Sequence, residues 1–113
     1  MLALRHRFHG HNGVRRVYKL GRPTRTTLMS MHLLRNEKVR RTKTAVVVSR
    51  KVDKSAVKRN RIRRRIYELV RAEVPNITTP TEIVITVYSV DIATMPAKEL
   101  QAATTELFRK AKL

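Results

Sequence analysis

The chain has 113 residues, a formal net charge of +18 and no cysteine. That length accommodates one domain with one core, and without cysteine there is no disulfide framework, thiolate zinc site or thiol nucleophile. A compact body carrying so much positive charge repels itself unless a polyanion compensates it, so the composition points to a nucleic-acid partner.

The chain reads as one domain over residues 1–113, with no repeat, low-complexity tract or linker long enough to divide it. Residues 1–13 are polar, basic and contain two glycines, which predicts a loosely ordered basic arm. Val14, Val17 and Tyr18 fit a short helix to Leu20, stopped by Gly21 with Pro23 following. Thr26 to Leu34 alternates and is rich in aliphatic and β-branched residues, predicting a strand. A charged turn is expected over Arg35 to Arg41. The β-branched run Thr42 to Ser49 predicts a strand buried on both faces and central in a sheet.

Asp53 or Ser55 is placed to cap a helix that runs to Val74, where Pro75 forces a stop. Ile62, Ile66, Leu69 and Val70 fall on one stripe of that helix. Glu82 to Val90 is the clearest strand in the chain. A final helix starts at Pro96, with Leu100, Leu107, Phe108 and Ala111 on its apolar face. The order αββαβα predicts an α+β fold, a mixed central sheet with helices packed on it. No apolar run approaches the roughly 20 residues that span a bilayer, and the N-terminus lacks a signal-peptide core. No membrane association is expected, and a cytoplasmic location is.

Charge is unevenly placed. Residues 1–71 hold 22 Lys or Arg against three acids, whereas 72–113 hold four against five. The densest part is Ser49 to Arg71, with ten basic residues opposed by Asp53 and Glu68. On a helix, Asn60, Arg64 and Arg71 project away from the apolar stripe, Arg61 and Arg65 line one flank, and Arg63 the other. Guanidinium forks in this arrangement suit a phosphate backbone, since Arg grips phosphate bidentately where Lys offers a point charge. Asn60 adds a neutral amide able to meet a base edge or a 2′-hydroxyl. A merely solvated charged face would mix signs, because like charges at i, i+4 weaken a helix.

The stretch from Val46 through Ser49-Arg50-Lys51 to Lys58-Arg59-Asn60-Arg61-Ile62-Arg63-Arg64 resembles the signature of the bacterial ribonuclease P protein component. In that family a strand ends in Ser-(Lys/Arg)-Lys and a helix opens with Arg-Asn-Arg-x-(Lys/Arg)-Arg. The resemblance implies a two-layer αβ sandwich in which this helix is a left-handed crossover between parallel strands. It also implies a protein subunit of a ribonucleoprotein endoribonuclease, with the catalytic RNA and precursor tRNA as partners and no obligate protein partner.

Carried onto this chain, Lys58, Arg59, Asn60, Arg61, Arg63, Arg64 and Arg65 are the expected RNA-binding residues. Val14, Tyr18, His32, Val46, Val48, Ser49, Arg50, Lys51 and Tyr88 are expected to line a groove for the single-stranded 5′ leader. The chain departs from the family where Val14 and Tyr18 replace a Phe-x-x-x-Phe pair, His32 replaces a frequent Tyr, and Tyr88 replaces an Arg. No side chain is expected to be catalytic. Mg²⁺ is expected on the RNA and substrate rather than in a protein site.

Other constellations are weaker. His6, His9 and His11 lack the acid or thiol partners and fixed geometry of a zinc site. The eight acids are scattered, which disfavours a metal-dependent nuclease acting alone. On composition alone, a small ribosomal RNA-binding protein fits equally well.

Overall fold

The computed structural model describes residues 11–35, 42–77 and 79–111. Residues 1–10 of the expected basic arm, with His6 and His9, and residues 36–41 of the expected charged turn lie outside the described residues. The elements run α1 (His11–Leu20), β1 (Arg22–Arg25), β2 (Met29–Arg35), β3 (Lys43–Val47), α2 (Ala56–Glu73), β4 (Thr81–Val87) and α3 (Ala97–Lys110). The expected order is present with one addition, β1. Pro23, expected only to break a helix, lies within this strand, and β1 is at the sheet's edge, where a missing N–H costs little.

The sheet order is β1-β2-β4-β3, antiparallel except for the parallel β3–β4 pair that α2 connects. The expectation that β3 is central is corrected, since it lies at the edge of the described sheet. Its burial alternates, with Thr44 and Val46 buried and Lys43, Ala45 and Val47 half-buried. The β-branched run therefore reflects one sealed face rather than two flanking strands. β2 and β4 hold the two interior positions, and six of the seven residues of β4 are buried.

Alternation divides the sheet into two faces. Met29, Met31 and Leu33 of β2, Ile83, Ile85 and Val87 of β4, and Val46 with Val48 join the apolar faces of α2 and α3 in one core. Ile62, Ile66 and Val70 of α2 are fully buried there. Each such side chain contributes about 1.5–3 kcal/mol of transfer free energy. α1 packs against β2 and β4 through the other face, where Val17 and Val84 are both fully buried. Two helices thus form the second layer of the sandwich, and α1 partly covers the sheet's reverse side.

Local chemistry fixes the joints. Gly21 closes α1 by donating its N–H to the Val17 carbonyl at 2.7 Å. A Cβ at Gly21 would stand 2.9 Å from the Leu33 carbonyl oxygen and closer still to that of Val17. Backbone crowding excludes a side chain here. Ser55 caps α2, its hydroxyl accepting from the Lys58 N–H at 3.3 Å. Asp53, the alternative cap, instead accepts from the Ser55 N–H at 2.7 Å. After Glu73 the chain tightens into a 3-10 turn, Val74–Asn76, with Pro75 inside it. No helix among the described residues is long and apolar enough to cross a membrane.

Candidate nucleic-acid interface

Two surfaces meet at the end of β3. One is the first half of α2, and the other is the sheet face that carries α1. The strand-to-helix connection between them is built from its own side chains. The Val52 N–H donates to the Ser49 carbonyl at 3.1 Å. Arg59 reaches back to donate from Nη1 to the carbonyls of Asp53 and Lys54, both at 2.9 Å. The result is an open cleft of about 580 Å³ lined by Arg50, Lys51, Lys54, Ala56 and Arg59. Four cations share it with the N-terminal end of α2, where unpaired backbone N–H groups also favour negative charge.

The arginines of α2 do not all serve one purpose. Arg61 and Arg64 are exposed and form no hydrogen bond or ion pair with the other described residues. Lys58 lies 3.8 Å from Asp53 but is largely exposed, and an ion pair of that kind contributes little. Arg63 donates to the amide oxygen of Asn60, which leaves the Asn60 NH₂ as that side chain's outward group. Arg65, expected to bind RNA, is engaged by the protein's own backbone. Its guanidinium donates to the carbonyls of Ile92, at 2.6 Å, and Met95. It joins α2 to the segment entering α3. Helical projection gave its direction along one flank but not the carbonyls waiting there.

On the sheet's α1 face, Tyr18 stands edge-on to His32 with ring centroids 4.9 Å apart and planes inclined at 68°. The Tyr18 hydroxyl is hydrogen-bonded to Thr86, and the Tyr88 hydroxyl to Ser30 at 2.8 Å. Tyr18, Tyr88, Ser49, Arg50 and Lys51 are exposed, and Val14 and His32 are half-buried. Burial holds the His32 imidazole below its ordinary pKa. Its Nδ1 is buried without a hydrogen-bond partner among the described residues.

Val46 and Val48 are corrected from the expected groove set. Both are buried in the core beneath α2. The β3 residues on the α1 face are Lys43, Ala45 and Val47, opposite Glu82, Val84 and Thr86 of β4. In a strand apolar at both parities, alternation cannot say which set faces the groove.

Sequence reasoning also missed Glu82. It is buried beside Arg16 of α1, forming an ion pair that fastens this helix to the sheet. The available signal was an acid within an otherwise apolar strand. Among the described residues no three His, Cys, Asp or Glu side chains gather as a metal-binding group.

The Ribonuclease P family model matches residues 2–112. The Ribonuclease P protein component of Chloroflexus aurantiacus is 35% identical over 111 residues, spanning 88% of this chain and 82% of that relative. That of a Pseudanabaena species is 32% identical over 114 residues, spanning 100% and 97%. Among solved structures, the RNase P protein of Staphylococcus aureus superposes with a TM-score of 0.83 at 21% identity, covering 95% of both chains. That of Thermotoga maritima gives 0.77 at 18%, covering 89% of this chain and 93% of its own. The arginine-rich helix and the sheet face beside it thus stand on a fold shared with these proteins, and the chain belongs to the ribonuclease P protein component family.

Proposed function

We propose that this protein binds the catalytic RNA of ribonuclease P through α2 and offers the α1 face of the sheet to the 5′ leader of precursor tRNA, promoting leader removal. The observation that carries this reading is the pair of exposed guanidinium groups of Arg61 and Arg64, unpartnered among the described residues, on the helix whose first turn borders the basic cleft at Arg50, Lys51, Lys54 and Arg59. Those groups supply phosphate recognition. The half-open aromatic face supplies stacking surface for unpaired bases. Phosphodiester hydrolysis is assigned to the RNA subunit, with Mg²⁺ held by RNA and substrate. The protein raises precursor affinity and lowers the Mg²⁺ concentration required. It works in the cytoplasm without an obligate protein partner.

The test is cleavage of precursor tRNA by a bacterial ribonuclease P RNA at low Mg²⁺, with and without this protein. Addition of the protein stimulates cleavage, and Arg61→Ala combined with Arg64→Ala removes most of the stimulation. Undiminished stimulation by that double variant would take α2 out of the mechanism.

A further inference from the structure

Three side chains outside the expected site converge on its two tyrosines. Ser30 and Thr86 are direct cross-strand partners on β2 and β4. The Tyr88 hydroxyl is bonded to Ser30 and the Tyr18 hydroxyl to Thr86. Two aromatic rings from different elements are therefore tethered to one rung of the ladder, which fixes their spacing. A phenol bonded at its hydroxyl loses ring freedom, so a base stacking on it pays less ordering entropy.

Arg25 of β1 completes the arrangement. Its guanidinium carbon lies 4.9 Å from the Tyr88 ring centroid, within the range of a cation–π contact. Arg25 is exposed and makes no hydrogen bond or ion pair among the described residues, so its N–H groups remain available. Tyr88 itself is 44% exposed despite the arginine and the serine. The residue therefore stays accessible at the surface.

We propose that Arg25 and Tyr88 form a nucleotide subsite at the β4 end of the groove, base against ring and phosphate against guanidinium, with Ser30 and Thr86 as positioning residues that hold it in register with Tyr18. This rests on the reading of the α1 face as a site for unpaired RNA, and it names the residues that hold one nucleotide there. The occupant is single-stranded RNA because the ring needs an unstacked base and the free guanidinium needs an anion at the same point. Duplex RNA withholds its base faces.

The experiment compares binding of the full chain to a short single-stranded oligoribonucleotide and to an abasic strand of the same length and charge. The intact strand binds at least about fivefold more tightly, the lower end for one stacked base. Tyr88→Leu removes most of that preference. Arg25→Gln weakens the intact strand more than the abasic one, because the guanidinium acts together with the ring. Ser30→Ala and Tyr88→Phe each reduce the preference, and the double variant is no worse than either, since both break one tether.

Equal binding of the two strands, or equal losses on both in Tyr88→Leu and Arg25→Gln, would overturn the subsite and reduce the pair to surface packing. Stimulation of precursor cleavage is read separately. If it persists while the strands bind equally, the subsite alone falls. If Tyr88→Leu removes the difference between the strands but stimulation is absent in the intact protein, the subsite stands and the leader assignment falls.

Discussion

The two faces of the sheet use the same strands for opposite purposes. Under α2 and α3 the inward residues of β2 and β4 are Met29, Met31, Leu33, Ile83, Ile85 and Val87, all buried. On the α1 face the alternate residues include Ser30, His32, Glu82 and Thr86, and the covering helix reaches β2 and β4 but leaves β3 half-exposed. One face supplies folding free energy. The other carries polar side chains and aromatic rings bonded to one another and to α1. Because side chains alternate with period 2, a one-residue step along β3 exchanges one role for the other.

The largest test of that contrast is a pair of substitutions one residue apart. Val46→Asp places a charge in the core beneath α2 and is expected to cost more than about 4 kcal/mol, enough to abolish cooperative unfolding. Val47→Asp, on the half-exposed face, leaves the fold intact and weakens RNA binding by charge repulsion. Circular dichroism melts and oligoribonucleotide titration separate the two, and equal damage from both would break the division. Ile66→Ala should cost about 2–5 kcal/mol in denaturant unfolding through the cavity it leaves.

A smaller effect distinguishes the arginines of α2. Arg65→Ala strips the guanidinium from the Ile92 and Met95 carbonyls, with an expected loss of about 1–3 kcal/mol of stability. Arg61→Ala or Arg64→Ala should change stability by less than about 0.5 kcal/mol. Each should instead make the log–log salt slope of RNA binding about 0.7 less steep, as one phosphate contact is lost. A stability loss at Arg64 as large as at Arg65 would contradict this sorting.

The smallest expected effect is pH-dependent. Burial lowers the folded-state pKa of His32, so the unfolded chain takes up its proton first as pH falls. His32 therefore supports stability above its unfolded value of about 6.5. That contribution declines as pH drops from there towards the folded pKa. His32→Gln should flatten this part of the stability profile, measured by urea unfolding at several pH values.

Much of this was legible from residue order. The basic run at Ser49 to Arg71, the stripe Ile62, Ile66, Leu69 and Val70, and a strand from Glu82 follow from charge density and periodicity, although the strand ends at Val87 where Val90 was expected. The Arg-Asn-Arg signature then pointed to the family. β1 was missed because Arg-Pro-Thr-Arg has no strand pattern of its own, and its pairing with β2 supplies the order. Ser30, Thr86 and Arg25 were missed because isolated polar residues carry no local signal.

The sequence by itself determined where every helix and strand but β1 forms, which stretch carries the positive charge, and which family the chain resembles. These properties depend on neighbours within a few turns or strand residues. Tertiary structure decided which parity of β3 seals the core, that Arg65 serves the fold while Arg61 and Arg64 remain available, and that two tyrosines share one rung of the sheet. Such assignments depend on groups brought together from distant positions, as with Arg65 and Ile92 or Tyr18 and Thr86. Local pattern cannot encode them, because the partner that settles each role lies elsewhere in the chain.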